Sequence, residues 1–167
     1  MKSIKKLLFV MAALAAVFGF VACSDDDDDP STVAVYTGKD GDNLSYVITF
    51  YDNGTFKNVL TIKGVGSGTV ATGTYKGDVT KDTSADNEVT FTIKTMGGYD
   101  TEAKKFTEAS IREYVKMMLE ELSEVFGIEE VTDTVVNEFI EEHFTDVPMP
   151  IENGSFEYED VTYTIKN

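Results

Sequence analysis

The segment from Leu44 to Lys63 constrains the fold more than any other part of the chain. Large apolar side chains stand at every second position over most of its length, a pattern typical of two strands that each bury one face. The turn residues Asp52-Asn53-Gly54 separate the two halves. The segment therefore predicts a β-hairpin, whose apolar face carries Leu44, Tyr46, Ile48 and Phe50 on the first strand and Phe56, Leu60 and Ile62 on the second.

The register of this hairpin follows from the same pattern. A two-residue Asn53-Gly54 loop would pair Phe50 with Lys57 and scramble the buried face, because a slip by one residue inverts every side chain. A three-residue loop with Gly54 in the left-handed conformation pairs Phe50 with Phe56 instead. We therefore predict the second register, in which the further pairs are Ile48 with Asn58, Tyr46 with Leu60 and Leu44 with Ile62.

Five further segments carry strand patterns: Thr32–Tyr36, Thr69–Tyr75, Val89–Ile93, Ser155–Tyr158 and Val161–Lys166. Gly73 marks a bulge or a close approach within the second of these, and the last two form a hairpin with Phe156 opposite Tyr163 and Tyr158 opposite Val161. Between Val89–Ile93 and the last two segments, residues 103–146 change to a helical period. One helix ends before Gly127, and another starts after a cap at Thr132 or Asp133. These patterns predict a mainly β (α+β) fold, an antiparallel meander of about seven strands that forms a small or partial barrel, with a two-helix insertion before the last two strands.

The helical insertion concentrates the negative charge of the chain. Between Asp100 and Asp146 there are 14 acidic and 4 basic residues, and the whole chain has a formal net charge of −16 at pH 7. This balance argues against nucleic acid, whose phosphates require a basic surface. We expect the insertion to turn its carboxylates toward solvent or a basic protein partner and to cap the barrel with Ile111, Val115, Met118, Leu122, Phe139 and Ile140.

The N-terminus has the three zones of a secretory signal. Lys2, Lys5 and Lys6 precede an apolar run from Leu7 to about Phe20, and the small residue Ala22 ends the segment. The apolar run is shorter than the roughly 20 residues that a membrane-spanning helix needs. We therefore interpret residues 1–22 as a signal peptide rather than as a lasting membrane span.

A small residue directly before a cysteine, as in Ala22-Cys23, resembles the lipoprotein box of bacterial lipoproteins. The resemblance implies that Cys23 carries a thioether-linked diacylglycerol, commonly with palmitate, and becomes the first residue of the mature protein. Each acyl CH2 buried in the bilayer contributes about 0.8 kcal/mol, so two chains anchor where one would hold only marginally. The expected location is the outer membrane, with the protein attached through Cys23.

The next residues, Ser24, Asp25, Asp26, Asp27, Asp28 and Asp29, resemble the export signal of surface lipoproteins in Bacteroidetes-type bacteria. The resemblance implies exposure at the cell surface. Five adjacent carboxylates also repel one another and stay solvated, so residues 23–31 are equally interpreted as an extended tether. Both interpretations apply together.

Residues 32–167 form the predicted folded domain. The order of its pieces, Thr49–Phe56, then Gly73–Gly77, Val89–Ile93 and Val161–Ile165, resembles the lipocalin-like (calycin-type) small lipoproteins of bacteria. The Gly-x-Trp of true lipocalins is missing, since the chain has no Trp, and the helical insertion is extra. The resemblance implies a barrel mouth for a small apolar or amphiphilic ligand, with a lining of Tyr46, Ile48, Phe50, Phe56, Asn58, Leu60, Phe91, Phe156 and Tyr163; as an alternative, all nine form an ordinary core.

Catalytic patterns are missing from the sequence. His143 is the only histidine and lacks a carboxylate three or four residues before it, so neither a His-rich zinc site nor a Glu-x-x-His pattern is present. A loop from Asp78 has Thr83 and Val89 where an EF-hand requires Gly and Glu. We therefore predict a protein that is not an enzyme and has no metal or other cofactor. The two remaining classes are a ligand-binding module and an envelope-structural or protein-interaction lipoprotein that acts through its acidic helical face.

Overall fold

The computed structural model describes residues 30–123, 127–128 and 130–166. The predicted signal peptide, Cys23 and the acidic run Ser24 to Asp29 lie outside the described residues.

Within the described ranges the chain forms nine strands and two helices. The elements are β1 (Thr32–Asp40), β2 (Leu44–Tyr51), β3 (Thr55–Ile62), β4 (Gly66–Lys76), β5 (Thr90–Asp100), β6 (Lys105–Ser110), α1 (Ile111–Glu121), α2 (Asp133–Phe144), β7 (Val147–Pro148), β8 (Ser155–Tyr158) and β9 (Val161–Ile165). All strands pair antiparallel in one sheet of order β6-β5-β4-β3-β2-β1-β9-β8, and β7 pairs with β5. The mainly β meander with two helices is thus confirmed, and the sheet is not closed.

Both predicted hairpin registers are confirmed. Phe50 lies opposite Phe56, and Gly54 has a φ of 77°, in the left-handed region that a three-residue loop requires. In the second hairpin Phe156 lies opposite Tyr163. Its two turn residues, Glu159 and Asp160, have φ of 50° and 63°, as a type I′ turn demands.

The helical region begins later in the chain than predicted. Residues 105–110 form β6 rather than part of a helical segment, and β5 extends to Asp100, so the helices occupy only 111–144. The Gly97-Gly98 pair interrupts the apolar alternation, which hides the strand from a pattern search. Glycine is required there because a Cβ on Gly97 would lie 1.9 Å from the Thr107 carbonyl oxygen of the paired strand. With β7, this strand raises the count from about seven to nine.

The open sheet curls until its ends approach each other. The ring centroids of Phe91 on β5 and Tyr158 on β8 are 5.2 Å apart. The segment after α2 bridges this gap, since the amide of Met149 donates to the Val89 carbonyl at 2.8 Å and the Ile151 carbonyl accepts from the amide of Thr83 at 2.9 Å. The result is a partial barrel, closed by hydrogen bonds of irregular backbone rather than by a ladder of strands.

One end of this barrel is plugged. The Tyr36 hydroxyl donates to the Val79 carbonyl at 2.7 Å, and Val79 is 1% exposed. The loop between β4 and β5 therefore covers this end. The opposite end carries the β1–β2 and β8–β9 turns, because β9 runs antiparallel beside β1.

The two helices pack along the side of the barrel with their apolar faces inward. The Ser110 hydroxyl caps α1 by accepting from the amide of Glu113, and the Thr132 hydroxyl caps α2 by accepting from the amide of Val135. Val115 and Met118 are buried, and the other predicted contact residues, Ile111, Leu122, Phe139 and Ile140, are half-buried against the core. The predicted packing face is confirmed. Neither α1 nor α2, nor any other helical stretch in the described ranges, is long and apolar enough to cross a membrane.

Candidate functional site

The nine predicted lining residues lie on the inward face of the barrel, but they do not all meet at one cavity. Eight are buried and Tyr46 is half-buried. Tyr46, Leu60 and Tyr163 do not line the cavity. The six that do are Ile48, Phe50, Phe56, Asn58, Phe91 and Phe156, and Ala71, Ile93, Met149 and Tyr158 complete the lining.

The cavity is small. Its internal space of about 20 Å³ holds about one water molecule. Sites for drug-sized ligands are an order of magnitude larger, roughly 300 Å³ or more. Most of the interior is filled by rings in contact: Tyr36 lies 5.0 Å from Phe156, and Phe156 stacks on Tyr163 at 5.0 Å and 7°. A whole ligand does not fit inside this barrel, whereas one small chemical group does.

Asn58 is the polar group of this cavity. Asn58 is 7% exposed, and its Oδ1 atom has no hydrogen-bond partner among the residues that the structure describes. A buried acceptor in this condition costs about 1–3 kcal/mol of folding free energy. Such groups are rare in native structures and call for an explanation, such as a bound water or ligand.

Four tyrosines lie near one another and near the β8–β9 turn. Tyr46 on β2 and Tyr163 on β9 both lie opposite Gly38 of β1, and their ring centroids are 6.2 Å apart. A Cβ on Gly38 would come within 3.2 Å of the Tyr163 ring, so glycine lets that ring lie close against β1. Tyr114 of α1 and Tyr158 of β8 complete the set. We call Tyr46, Tyr114, Tyr158 and Tyr163 the tyrosine mouth.

The electrostatics of the tyrosine mouth are dominated by loss of hydration and by one carboxylate. Burial, followed by the charge of Glu159, raises the pKa of Tyr114 to about 12. Burial also raises the pKa of Tyr163, which the Asn58 side chain opposes as a hydrogen-bonding neighbour and the Glu159 charge reinforces. All of these phenols are neutral at physiological pH.

Glu159 itself has a raised pKa. Loss of hydration of the carboxyl is the main cause of this pKa shift, although the residue as a whole is exposed. The hydrogen bond with Tyr158 opposes the shift, and the charge of Asp160 adds to it. The ionised carboxylate is thus held in an unfavourable place next to the tyrosine mouth.

Four members of this region were not predicted from the sequence: Tyr114, Tyr158, Glu159 and Met149. Tyr158 could have been predicted, since it stands two residues after Phe156 and therefore lies on the same face of the strand. Tyr114 lies on a helix whose approach to the β8–β9 turn no local pattern specifies. Met149 follows a two-residue strand that carries no periodicity.

The structure also describes the residues that sequence analysis considered for metal binding. No group of three His, Cys, Asp or Glu side chains there is arranged to hold a metal ion. The His143 ring packs on Phe139 at 4.4 Å between centroids. In the loop after β4, Asp78 accepts from the Thr80 hydroxyl at 2.6 Å and pairs with Lys81 at 2.6 Å, so its oxygens already have partners.

No protein-family model matches the chain, and neither the curated proteins nor the solved structures contain a significant match.

Proposed function

We propose that the protein is a lipid-anchored, non-catalytic binding module of the outer cell surface. The signal-like N-terminus, the Ala22-Cys23 pair and the acidic run that follows support this location.

Cys23→Ser should move the protein from the membrane fraction to a soluble or unprocessed form. Replacing Asp25 to Asp29 with Ser and Gly keeps the tether length, and should remove cleavage by protease added outside intact cells. Unchanged membrane retention, or unchanged cleavage, contradicts the corresponding part of the proposal.

The binding function rests on one observation: within the described part of the chain the Oδ1 of Asn58 has no partner, and it lies in a cavity lined mostly by apolar side chains. A ligand group that donates a hydrogen bond would satisfy this acceptor, and the surrounding apolar side chains would exclude competing water. The internal space admits one group of about water size, so we place the rest of the ligand at the tyrosine mouth. A small amphiphile, with a donor at one end, fits this arrangement.

Native mass spectrometry of the protein purified from its own envelope tests this function. We expect an additional non-covalent mass on the wild type that is lost in Asn58→Leu, while the covalent lipid on Cys23 stays in both. A matched control is Ile48→Leu, which alters the cavity wall without touching its polar group and should keep the mass. Wild-type protein that carries only its covalent lipid would contradict ligand binding.

A second candidate function, contact with a basic protein, is favoured by the segregation of charge on the helices. Every described carboxylate of α1 and α2 is exposed, whereas their apolar side chains pack inward. Of these carboxylates in the described part of the chain, only a few have a partner, such as Asp133, which lies 2.8 Å from Arg112. Glu138, Glu141 and Glu142 share one exposed face of α2 by their helical spacing. Like charges at this spacing repel, so their presence does not follow from stability.

A pull-down from envelope extract at low and high salt tests this second candidate. Changing Glu138, Glu141 and Glu142 to Gln should reduce partner capture at low salt, and high salt should weaken capture by the wild type, since the Debye length falls from about 8 Å at physiological ionic strength. The control, which makes the same charge change at exposed sites outside the helices, is Glu88, Glu102 and Glu157 to Gln. Equal capture by all three proteins at both salt concentrations would exclude the acidic-face contact.

A further inference from the structure

A second space, an open cleft of about 430 Å³, lies beside the β1–β2 turn. The strand register places Lys39 of β1, Ser45 of β2 and Thr61 of β3 side by side in one row across the sheet, and all three line the cleft. This row faces away from the barrel interior, because Tyr46 and Leu60 at the neighbouring positions face inward. We call this space the outer cleft. It shares no lining residue with the internal cavity.

The β1–β2 turn contributes three residues to the outer cleft, Gly41, Asp42 and Asn43. Gly41 has a φ of 63°, so the turn reverses the chain through a left-handed residue. The Asn43 carbonyl accepts a hydrogen bond from the amide of Lys63 at 2.9 Å, and Lys63 also lines the cleft. This hydrogen bond fixes the turn to the end of β3, so the groups of the turn and of the sheet keep their places beside each other.

Two lysines give the outer cleft a positive charge balance within an acidic protein. Lys39 and Lys63 line it against one carboxylate, that of Asp42, whereas the chain as a whole has a formal net charge of −16. Among the residues that the structure describes, neither lysine forms an ion pair. Like charges that share one cleft repel each other. A bound anion would therefore relieve this repulsion without breaking an existing ion pair.

The remaining polar groups of the outer cleft specify what else the anion must carry. The hydroxyls of Ser45 and Thr61 and the amide of Asn43 can each donate and accept hydrogen bonds, and the Thr61 hydroxyl lies 2.7 Å from that of Ser67. The Asp42 carboxylate can only accept. It would repel a bare anion but would bind a hydroxyl group of the ligand. A ligand with one acidic group and several hydroxyl groups satisfies all of these side chains.

The size and polarity of the outer cleft agree with such a ligand. Its volume of about 430 Å³ falls in the range of roughly 300–1,000 Å³ that is typical of small-molecule sites. Among the described residues that line it, only Leu44 has an apolar side chain, so a lipid would gain little contact there. We propose that the outer cleft binds a hydroxylated carboxylate of the sugar-acid class, with the carboxylate at Lys39 and Lys63 and a hydroxyl group at Asp42. This site is additional to the one proposed at the internal cavity and does not depend on it.

Three probes separate the two requirements of this site. D-Glucuronate carries both the charge and the hydroxyl groups, D-glucose lacks the charge, and acetate lacks the hydroxyl groups. Binding is measured by ligand-observed NMR at pH 7 on the full-length protein purified from its own envelope, in a polyoxyethylene detergent whose head group contains no sugar. We expect glucuronate to bind about tenfold more tightly than either of the other probes, because each of them loses one class of charged hydrogen bond. High salt should weaken glucuronate binding.

Four variants test the assigned contacts. Lys39→Gln and Lys63→Gln should each weaken glucuronate binding about fivefold, the effect of a partly exposed ion pair. Lys57→Gln is the matched control, because it makes the same charge change on β3 outside the cleft, and it should leave the affinity unchanged. Asp42→Ala removes both an acceptor for hydroxyl groups and a repulsive charge. It should therefore weaken glucuronate binding and strengthen acetate binding, a pair of opposite effects that a folding defect would not produce.

Equal affinity for glucuronate and glucose, an unaffected Lys63→Gln protein, or no glucuronate binding up to about 50 mM would each overturn the outer-cleft site. A thermal unfolding scan separates loss of binding from loss of folding. The four substituted side chains are exposed, so the midpoints should equal that of the wild type. Asn58→Leu, which changes the internal cavity alone, should bind glucuronate as the wild type does. The native ligand mass and its dependence on Asn58 thus decide the general binding function separately.

Discussion

Replacing Asn58 by Leu should stabilise the ligand-free protein. Asn58 is buried on the apolar face of β3 between Phe56 and Leu60, and no described residue forms a hydrogen bond with its Oδ1. Removing an unsatisfied buried acceptor recovers about 1–3 kcal/mol, and the lost interaction with Tyr163 costs about 0.5–1.5 kcal/mol. The buried Leu side chain contributes about 1.5–3 kcal/mol relative to its exposed state, part of which is lost to imperfect fit. We expect a net gain of about 2 kcal/mol.

This gain is large enough for an ordinary thermal scan. An unfolding entropy of about 2.1 cal/mol/K per residue, over roughly 140 folded residues, makes 2 kcal/mol equivalent to a rise of about 7 °C in Tm. Urea unfolding should show the same gain through a higher midpoint at constant slope. The measurement requires protein washed free of small molecules, because a ligand at Asn58 would stabilise the wild type alone.

Thr72→Val is the matched control for this prediction. It also replaces a polar side chain by an apolar one of similar shape, but the Thr72 hydroxyl lies 2.8 Å from the Thr95 hydroxyl and so has a partner. The free energy of unfolding of this variant should fall by about 1 kcal/mol, whereas that of Asn58→Leu should rise. A loss of 1 kcal/mol or more in Asn58→Leu would show that the Asn58 amide is fully satisfied, and would refute the reasoning that makes this cavity a binding site.

Three further variants test the packing of the barrel. Gly73→Ala should lower the free energy of unfolding in urea by about 2–3 kcal/mol, because its Cβ would lie 2.0 Å from the Thr92 carbonyl oxygen at the bulge between β4 and β5. A decrease below 0.5 kcal/mol would contradict this close approach. Tyr36→Phe should lower the free energy of unfolding by about 1–3 kcal/mol, since it leaves the buried Val79 carbonyl without its donor. An unchanged urea midpoint would show that the position of the β4–β5 loop does not depend on this hydrogen bond. Hydrogen bonds from Lys81 and Thr80 lower the pKa of Asp78 from 3.8 to about 2. Its stabilising contribution is therefore complete above pH 3.8 and is lost as the pH falls toward 2, and Asp78→Asn should flatten the stability profile over that interval; parallel profiles of variant and wild type would exclude this role.

Local patterns were sufficient to predict the hairpins. In β2 and β3 the period of two and the left-handed glycine at position 54 specify one register, because any slip moves a whole row of apolar side chains into water. The same argument predicted Phe156 opposite Tyr163. Gly73 was also recognisable as a bulge, and the structure places it at the register shift between β4 and β5.

Local patterns failed where glycine replaces a side chain that would have shown the period. The whole of β6 was assigned to the helical insertion and the second half of β5 to no strand, although the Gly97-Gly98 pair only marks a close approach of backbones. A glycine has no side chain to indicate which face of the strand it lies on, so the apolar alternation cannot be followed beyond it.

The sequence by itself determined the strand faces, the helix faces and the acidic outer surface, since each depends on residues within a few positions of one another. Tertiary structure alone decided that Tyr114 lies near Glu159 and that Met149 closes the gap between β5 and β8. It also decided that the Asn58 oxygen has no partner among the described residues. These relations depend on how far the sheet curls and on where the helices rest against it. Both follow from the packing of the whole core, which no short segment of sequence encodes.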